Sequence, residues 1–128
     1  MSTRSRIGIL QENGSVKSIY CHYDGYPEHT GKTLVENYTS PVEVNNLIEK
    51  GDLRFINPSP SDNEHYPDQG ETEAVAITST SQESFLKDTG DSWGEYAYLY
   101  KDGEWEVSPT RGGQNEFTPV QSILKEVA

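Results

Sequence analysis

Arg6-Ile7-Gly8-Ile9-Leu10, then Glu12-Asn13-Gly14-Ser15, then Val16-Lys17-Ser18-Ile19-Tyr20-Cys21-His22-Tyr23 decide how this chain folds. Two apolar runs flank an Asn-Gly pair, and such a pair readily adopts the positive φ angles of a tight hairpin turn. The pattern predicts an N-terminal β-hairpin. Along its second arm, predicted over 16–23, side chains alternate between faces with period two. Lys17, Ile19, Cys21 and Tyr23 therefore share one face, and Val16, Ser18, Tyr20 and His22 the other. Asp24-Gly25 suits a further turn, and Pro27 stops sheet pairing.

Residues 18–29 also hold the only cysteine, two of the three histidines and three tyrosines. A histidine and a carboxylate thus stand at the end of a strand. Either His22 and Asp24 merely satisfy the turn, or a small pocket opens between them.

Outward from this stretch, Leu34, Val35 and Tyr38 fall on one side of a short helix within 29–38. Ser40-Pro41-Val42-Glu43 combines an N-cap, a proline at the first helical position and a capping-box glutamate, so a second helix starts there. Val44, Leu47 and Ile48 line its buried stripe, Gly51 ends it, and Leu53, Phe55 and Ile56 return to the core. Residues 57–73 form a long acidic loop, too poor in apolar side chains to offset the entropy of ordering. Residues 74–77 read as a short strand, and Thr80-Ser81-Gln82-Glu83 as a capping box for a helical turn through Phe85 and Leu86 that Gly90 ends. Residues 95–100 and 105–108 flank Asp102-Gly103 as a second hairpin. Ala97 and Leu99 face one way and the three tyrosines 96, 98 and 100 the other, with Trp105 and Val107 together on the returning arm. Arg111-Gly112-Gly113 belongs to a loop. Thr118-Pro119-Val120-Gln121 then caps a final amphipathic helix with Val120, Ile123, Leu124 and Val127 on one face. The expected fold class is α+β: one domain, 1–128, with a mostly antiparallel sheet built from two hairpins and helices packed on one face.

Composition narrows the function. The net charge is −11, from 21 acidic against 10 basic residues, which disfavours direct nucleic-acid or anionic-membrane binding and favours basic protein partners or plain solubility. The hydrophobic fraction, 32%, predicts a modest core. A lone cysteine and the lack of a basic-then-apolar leader predict a reducing, cytoplasmic setting. No apolar run reaches the roughly 20 residues that span a bilayer.

Among motifs, Gly31-Lys32-Thr33 resembles the end of a phosphate-binding P-loop, but five residues rather than four separate Gly25 from Gly31 and one of them is Pro27. Lys32 at a helix start still suits an anion. His22, Asp24, His29, Cys21 and His65 lack the closely spaced pairs of a zinc site, so no metal and no cofactor is expected. No nucleophile elbow is present. The tyrosine row with Trp105 either stacks a flat ring or packs under a helix.

Ser5-Arg6-Ile7-Gly8, the block Asn13-Gly14-Ser15-Val16-Lys17-Ser18-Ile19-Tyr20-Cys21-His22-Tyr23-Asp24-Gly25-Tyr26-Pro27, and Gly31-Lys32 carry a resemblance. The chain resembles a family of small proteins encoded by tailed phages, whose start reads SRIG and whose hallmark block reads DGSV-SIYCHWDGYP. Asn13 stands for the usual aspartate and Tyr23 for the usual tryptophan. The similarity extends to Gly51-Asp52-Leu53, then weakens except at residues 95–100. It implies a phage origin and action in the host cytoplasm, without implying a mechanism.

The expected function is a non-catalytic accessory protein that binds a small anionic or nucleotide-like ligand, or a host protein, and so modulates host metabolism or defence. Its expected ligand-binding residues are Tyr20, His22, Tyr23, Asp24, Tyr26, His29 and Lys32. The alternatives are an acidic inhibitor that mimics nucleic acid, and a small hydrolase or lyase that uses His22 and Asp24 as an acid-base pair.

Overall fold

The structure is a computed structural model and describes residues 3–65, 76–110 and 116–127, the last three through their backbone alone. β1 (Ser5–Leu10) and β2 (Val16–Cys21) form the expected antiparallel hairpin, with Leu10 opposite Val16 and Ser5 opposite Cys21. Gly14 takes φ 88° at the turn, and the Ser15 amide donates to Asn13 Oδ1 at 3.0 Å. That local bond is why asparagine favours turns. The second hairpin joins β6 (Tyr96–Lys101) to β7 (Glu104–Pro109) through Asp102 and Gly103, at φ 51° and 82°. Two successive positive angles match the right-handed twist of the flanking strands.

The hairpins meet through β1 and β6, which run parallel, Ser5 facing Tyr96 and Ile9 facing Tyr100. Further strands are β3 (Leu53–Phe55), β4 (Glu64–His65), β5 (Ile77–Ser79) and β8 (Thr118–Pro119). The order is β4-β3-β2-β1-β6-β7-β8, and β5 also pairs with β2. The outer edge of β2 is thus shared. β5 takes Val16 to Ser18, and β3 takes Cys21.

Among the described residues, four α-helices accompany this mixed, mostly antiparallel sheet: α1 (Lys32–Asn37), α2 (Pro41–Glu49), α3 (Gln82–Asp91) and α4 (Val120–Val127). The α+β class and both hairpins are as expected. On one face Ile7, Ile9, Ile19, Cys21, Tyr98, Tyr100 and Trp105 pack with Leu34, Val44, Leu47, Ile48 and Val120 from α1, α2 and α4, and with Tyr38 at the end of α1. The tyrosine row is therefore core packing. Trp105 Nε1–H donates to Tyr38 O at 2.8 Å, and Tyr100 Oη donates to Thr39 O at 3.1 Å.

To the helices on one face the structure adds α3 on the other, where Phe85 packs with Val16, Ala97 and Leu99. The cause is that β6 is apolar on both faces, so the Ala97–Leu99 side also needs cover. Gly8 makes room for it: a Cβ there would lie 2.6 Å from Val16 Cγ1 and 3.0 Å from Phe85 Cζ.

Local corrections have local causes. Ser40 caps α2 as expected, accepting from the Glu43 amide at 3.3 Å, and Gly51 follows at φ 89°. α3 is capped by Ser81 rather than Thr80: the Ser81 hydroxyl accepts from the Ser84 amide at 3.1 Å, and the helix runs through Gly90 to Asp91. A single glycine weakens a helix by only about 1 kcal/mol and need not stop it. Thr118 and Pro119 pair with β7 instead of capping α4, an edge position where proline's missing N–H costs nothing. Within the expected acidic loop, residues 57–65 are ordered around two asparagines. The Asn57 amide donates to Asn63 Oδ1 at 2.6 Å, and Asn63 Nδ2 donates to Tyr38 Oη at 2.9 Å. Residues 66–73, positions 74 and 75 of the expected strand, and Arg111-Gly112-Gly113 lie outside the described residues.

Candidate functional site

β2 ends at Cys21, two residues short of the expected boundary, because Asp24 adopts φ 53° and turns the chain across the start of β1. The Gly25 amide donates to Thr3 O at 2.8 Å. A Cβ on Gly25 would lie 2.7 Å from Ser5 Oγ, so this crossing needs glycine. Thr30 Oγ1 donates to Asp24 O at 2.7 Å, and Tyr98 Oη donates to Gly25 O at 2.6 Å. The loop backbone is pinned from three sides.

On this frame the expected site residues form two aromatic groups. Tyr20 Oη and His22 Nδ1 share a hydrogen bond at 2.7 Å, and the His22 ring meets Tyr23 edge-on at 4.6 Å. Burial, helped by the Arg4 guanidinium, holds His22 below its ordinary value, which favours the neutral ring. The His29 ring lies 4.7 Å from Phe55 and 6.4 Å from Tyr26, with Nε2 at 3.3 Å from Ile56 O. Tyr23 and Tyr26 are 45% and 37% exposed.

Other expected relationships do not form. Among the described residues, no hydrogen bond joins His22 to Asp24; the histidine's partner is Tyr20. Lys32 is exposed and is the first residue of α1 as expected, but a π-helical turn over Pro27–Gly31 runs straight into it, so the Lys32 amide donates back to His29 O and Pro27 O. Pro27 presets the backbone for that earlier start. Cys21 is fully buried, and burial pushes its thiol up to about 12, which removes thiolate chemistry. His65 sits elsewhere, its Nδ1 at 2.9 Å from Gly51 O. Among the described residues, no three His, Cys, Asp or Glu side chains converge as a metal would require. Concavities of about 450 Å³, between α2 and Asn63, and about 420 Å³, beside Trp105 and Pro119, do not include the expected site residues.

Sequence pattern alone missed a charged cluster beneath Tyr20. Arg6 is only 4% exposed, and its Nε and one terminal nitrogen donate to Ser18 Oγ and Ser18 O at 3.0 and 2.9 Å. Burial lowers this guanidinium's pKa, while Asp52 and Asp88 oppose the shift. Asp52 Oδ1 accepts the Tyr20 amide at 2.8 Å, and Asp88 Oδ2 accepts from Ser79 Oγ at 2.6 Å. An arginine in an otherwise apolar strand was the available signal.

No family model matches the chain, and neither a curated protein nor a solved structure does. Among the described residues no helix is long and apolar enough to cross a membrane.

Proposed function

We propose that this chain is a non-catalytic accessory protein, phage-encoded as its sequence resemblance implies, that acts by docking the surface around Tyr20, His22, Tyr23, Tyr26 and His29 on a host protein. One observation carries the reading: Tyr23 and Tyr26 stand 45% and 37% exposed on a loop whose backbone is held at Thr3, Thr30 and Tyr98. Aromatic side chains concentrate interface energy, and preorganised ones lose less entropy on binding.

The other readings draw less support. An enclosed nucleotide-like ligand would need free amides beside Lys32, and that residue's own amide is engaged. A hydrolase or lyase would need His22 and Asp24 to act on one proton, and the bond of His22 goes to Tyr20. The nucleic-acid mimic keeps its one support, the net charge of −11.

The test is capture from host lysate on the immobilised protein at low and high salt, with wild type beside a Tyr23→Ala/Tyr26→Ala double variant, and a thermal-shift panel of nucleotides in parallel. The expected result is one saturably retained host protein, held at least about tenfold less well by the double variant, and no nucleotide-induced shift. A nucleotide that raises the melting temperature of wild type but not of Lys32→Ala would replace this reading with the small-ligand one. Retention abolished by salt but indifferent to the tyrosines would replace it with the nucleic-acid mimic.

A further inference from the structure

We propose that the docking surface includes an anion-binding position, made by Arg4 together with His22 and Tyr20, that receives one carboxylate side chain of the partner protein. The proposal rests on the docking reading above and adds the partner's chemistry.

Arg4 and Arg6 are near neighbours in the chain with opposite fates. The Arg6 guanidinium is bonded to Ser18 and balanced by Asp52 and Asp88. Arg4 is partly buried and its Nε is shut off from solvent without an acceptor. Among the described residues, neither a hydrogen bond nor an ion pair holds its side chain. A charged donor buried without an acceptor is costly and calls for an explanation. The chain carries 21 acidic residues against 10 basic ones, so this cation is not unpaired for want of acids. Its backbone is fixed as well: Arg4 O accepts the Glu95 amide at 2.7 Å, and Thr3 O beside it accepts the Gly25 amide at 2.8 Å.

Alternation assigns the face. Ser5 bears on the Cys21 thiol, within the core under α1, α2 and α4, so Arg4 and Arg6 point to the α3 side. There His22, bonded to Tyr20 at 2.7 Å, feels the Arg4 charge, and no carboxylate is among the groups that shift it. The carboxylates of this end act elsewhere. Asp24 acts on Cys21, Glu28 on Tyr96 and Tyr98, Glu95 on Tyr96, and Asp52 and Asp88 on Arg6. Of the other cations, Lys32 belongs to α1 on the opposite side of the sheet, and Arg54 is not free. The charge that His22 meets is therefore positive, within a chain of net −11.

These groups suit a carboxylate. The guanidinium fork matches a carboxylate in plane and binds it through charge-assisted hydrogen bonds. A neutral His22 that accepts from Tyr20 Oη at Nδ1 carries its proton on Nε2, a second donor at the position. Tyr23, edge-on to the His22 ring and 45% exposed, adds an apolar wall beside it. A single negative charge fits better than a phosphate dianion, because the field of a chain at −11 repels the second charge as well.

The test follows the His22 ring and the Arg4 Nε–H by NMR on the full chain at low salt. The probes are a short blocked peptide with one glutamate, its glutamine counterpart, and inorganic phosphate. The glutamate peptide should shift both signals saturably and raise the pH at which His22 titrates, because it offsets the Arg4 charge. The glutamine peptide should leave both signals unmoved, and phosphate should bind no more tightly than the glutamate peptide. Arg4→Gln, which removes no bond among the described residues, should keep the melting temperature, raise the His22 titration by itself, and weaken the glutamate peptide about tenfold or more. Lys32→Gln removes the same charge from the opposite side and should change none of these. Absence of a shift with the glutamate peptide overturns the proposal, as do equal binding of the glutamine peptide, tighter binding of phosphate, an unchanged His22 titration or affinity in Arg4→Gln, or an equal loss in Lys32→Gln. The captured host protein separates the two ideas: retention sensitive to the tyrosine pair but not to Arg4→Gln sinks only this proposal, and retention indifferent to both sinks the docking reading with it.

Discussion

Asp52 Oδ1 accepts the backbone amide of Tyr20 at 2.8 Å, closing the gap between the stretches of β2 that pair with β5 and β3. The same carboxylate is a counter-charge for the buried Arg6. Asp52→Ala removes both roles, and a part-buried donor left unsatisfied costs about 1–3 kcal/mol. Asp52→Asn keeps an acceptor oxygen and loses only the charge. Chemical denaturation should rank wild type above Asp52→Asn and Asp52→Asn above Asp52→Ala; equal midpoints for the two variants would show that the charge beside Arg6 matters more than the bond to Tyr20.

Gly8→Ala tests the cover on the second face. Its Cβ would meet Val16 Cγ1 at 2.6 Å and Phe85 Cζ at 3.0 Å, in a central strand with both neighbours paired. Overpacking of this kind costs about 1–3 kcal/mol. Adding Phe85→Leu should recover part of the loss, and a double variant no more stable than Gly8→Ala would contradict packing of α3 at this point.

His65 contributes to the acid side of stability. Burial holds it below its ordinary value, with a further push from Lys50, while its bonds at Gly51 and Asp52 and the Asp52 charge oppose the shift. Its Nε2 is buried without a side-chain or backbone partner among the described residues, a place for a neutral ring. A depressed folded value means that the contribution is complete above about pH 6.5 and is lost as pH falls through the folded value. His22 shifts in the same direction from a more open position, whereas Asp52, raised chiefly by burial, contributes with the opposite sign. Melting temperature should therefore fall between pH 7 and 5, and His65→Asn, whose amide can still donate to Gly51 O, should shallow that fall. An unchanged slope in the variant would assign the effect elsewhere.

Trp93 adopts φ 64° and is 71% exposed, so Trp93→Gly should raise stability. Relief of the left-handed strain is worth about 1–2 kcal/mol, against a glycine entropy cost of about 0.5–1 kcal/mol. The expected net gain is up to about 1 kcal/mol, a rise of a few degrees in melting temperature. A clear fall would mean that the indole contributes to the fold through packing.

Features set by near neighbours in sequence were legible. Asn13-Gly14 and Asp102-Gly103 each carry their own turn, and Ser40-Pro41 carries its own cap. Features that depend on a distant partner were not. The Ala97–Leu99 face gives no sign of its cover until Phe85 is brought to it by the fold. Thr118-Pro119 suits both a helix start and an edge strand, and β7 decides between them. At the candidate site, alternation correctly put Tyr20 beside His22, whereas the spacing of His22 and Asp24 carried no information about the turn at Asp24 that separates their roles. Turn chemistry drew attention to Gly90, but the left-handed angle falls at Trp93, where residue type disguises it.

The parallel pairing of β1 with β6 also sets an order of assembly. The N-terminal hairpin can close as soon as Cys21 is made, but the inner edge of β1 then waits, with Ile7 and Ile9 beside it, until Tyr96–Lys101 arrives. An unpaired strand edge is a template for other chains, and long-range parallel pairing is slow because loop closure precedes its reward. A chain arrested before residue 96 should self-associate more readily than the full chain. The middle of this sheet is made first on one side and almost last on the other.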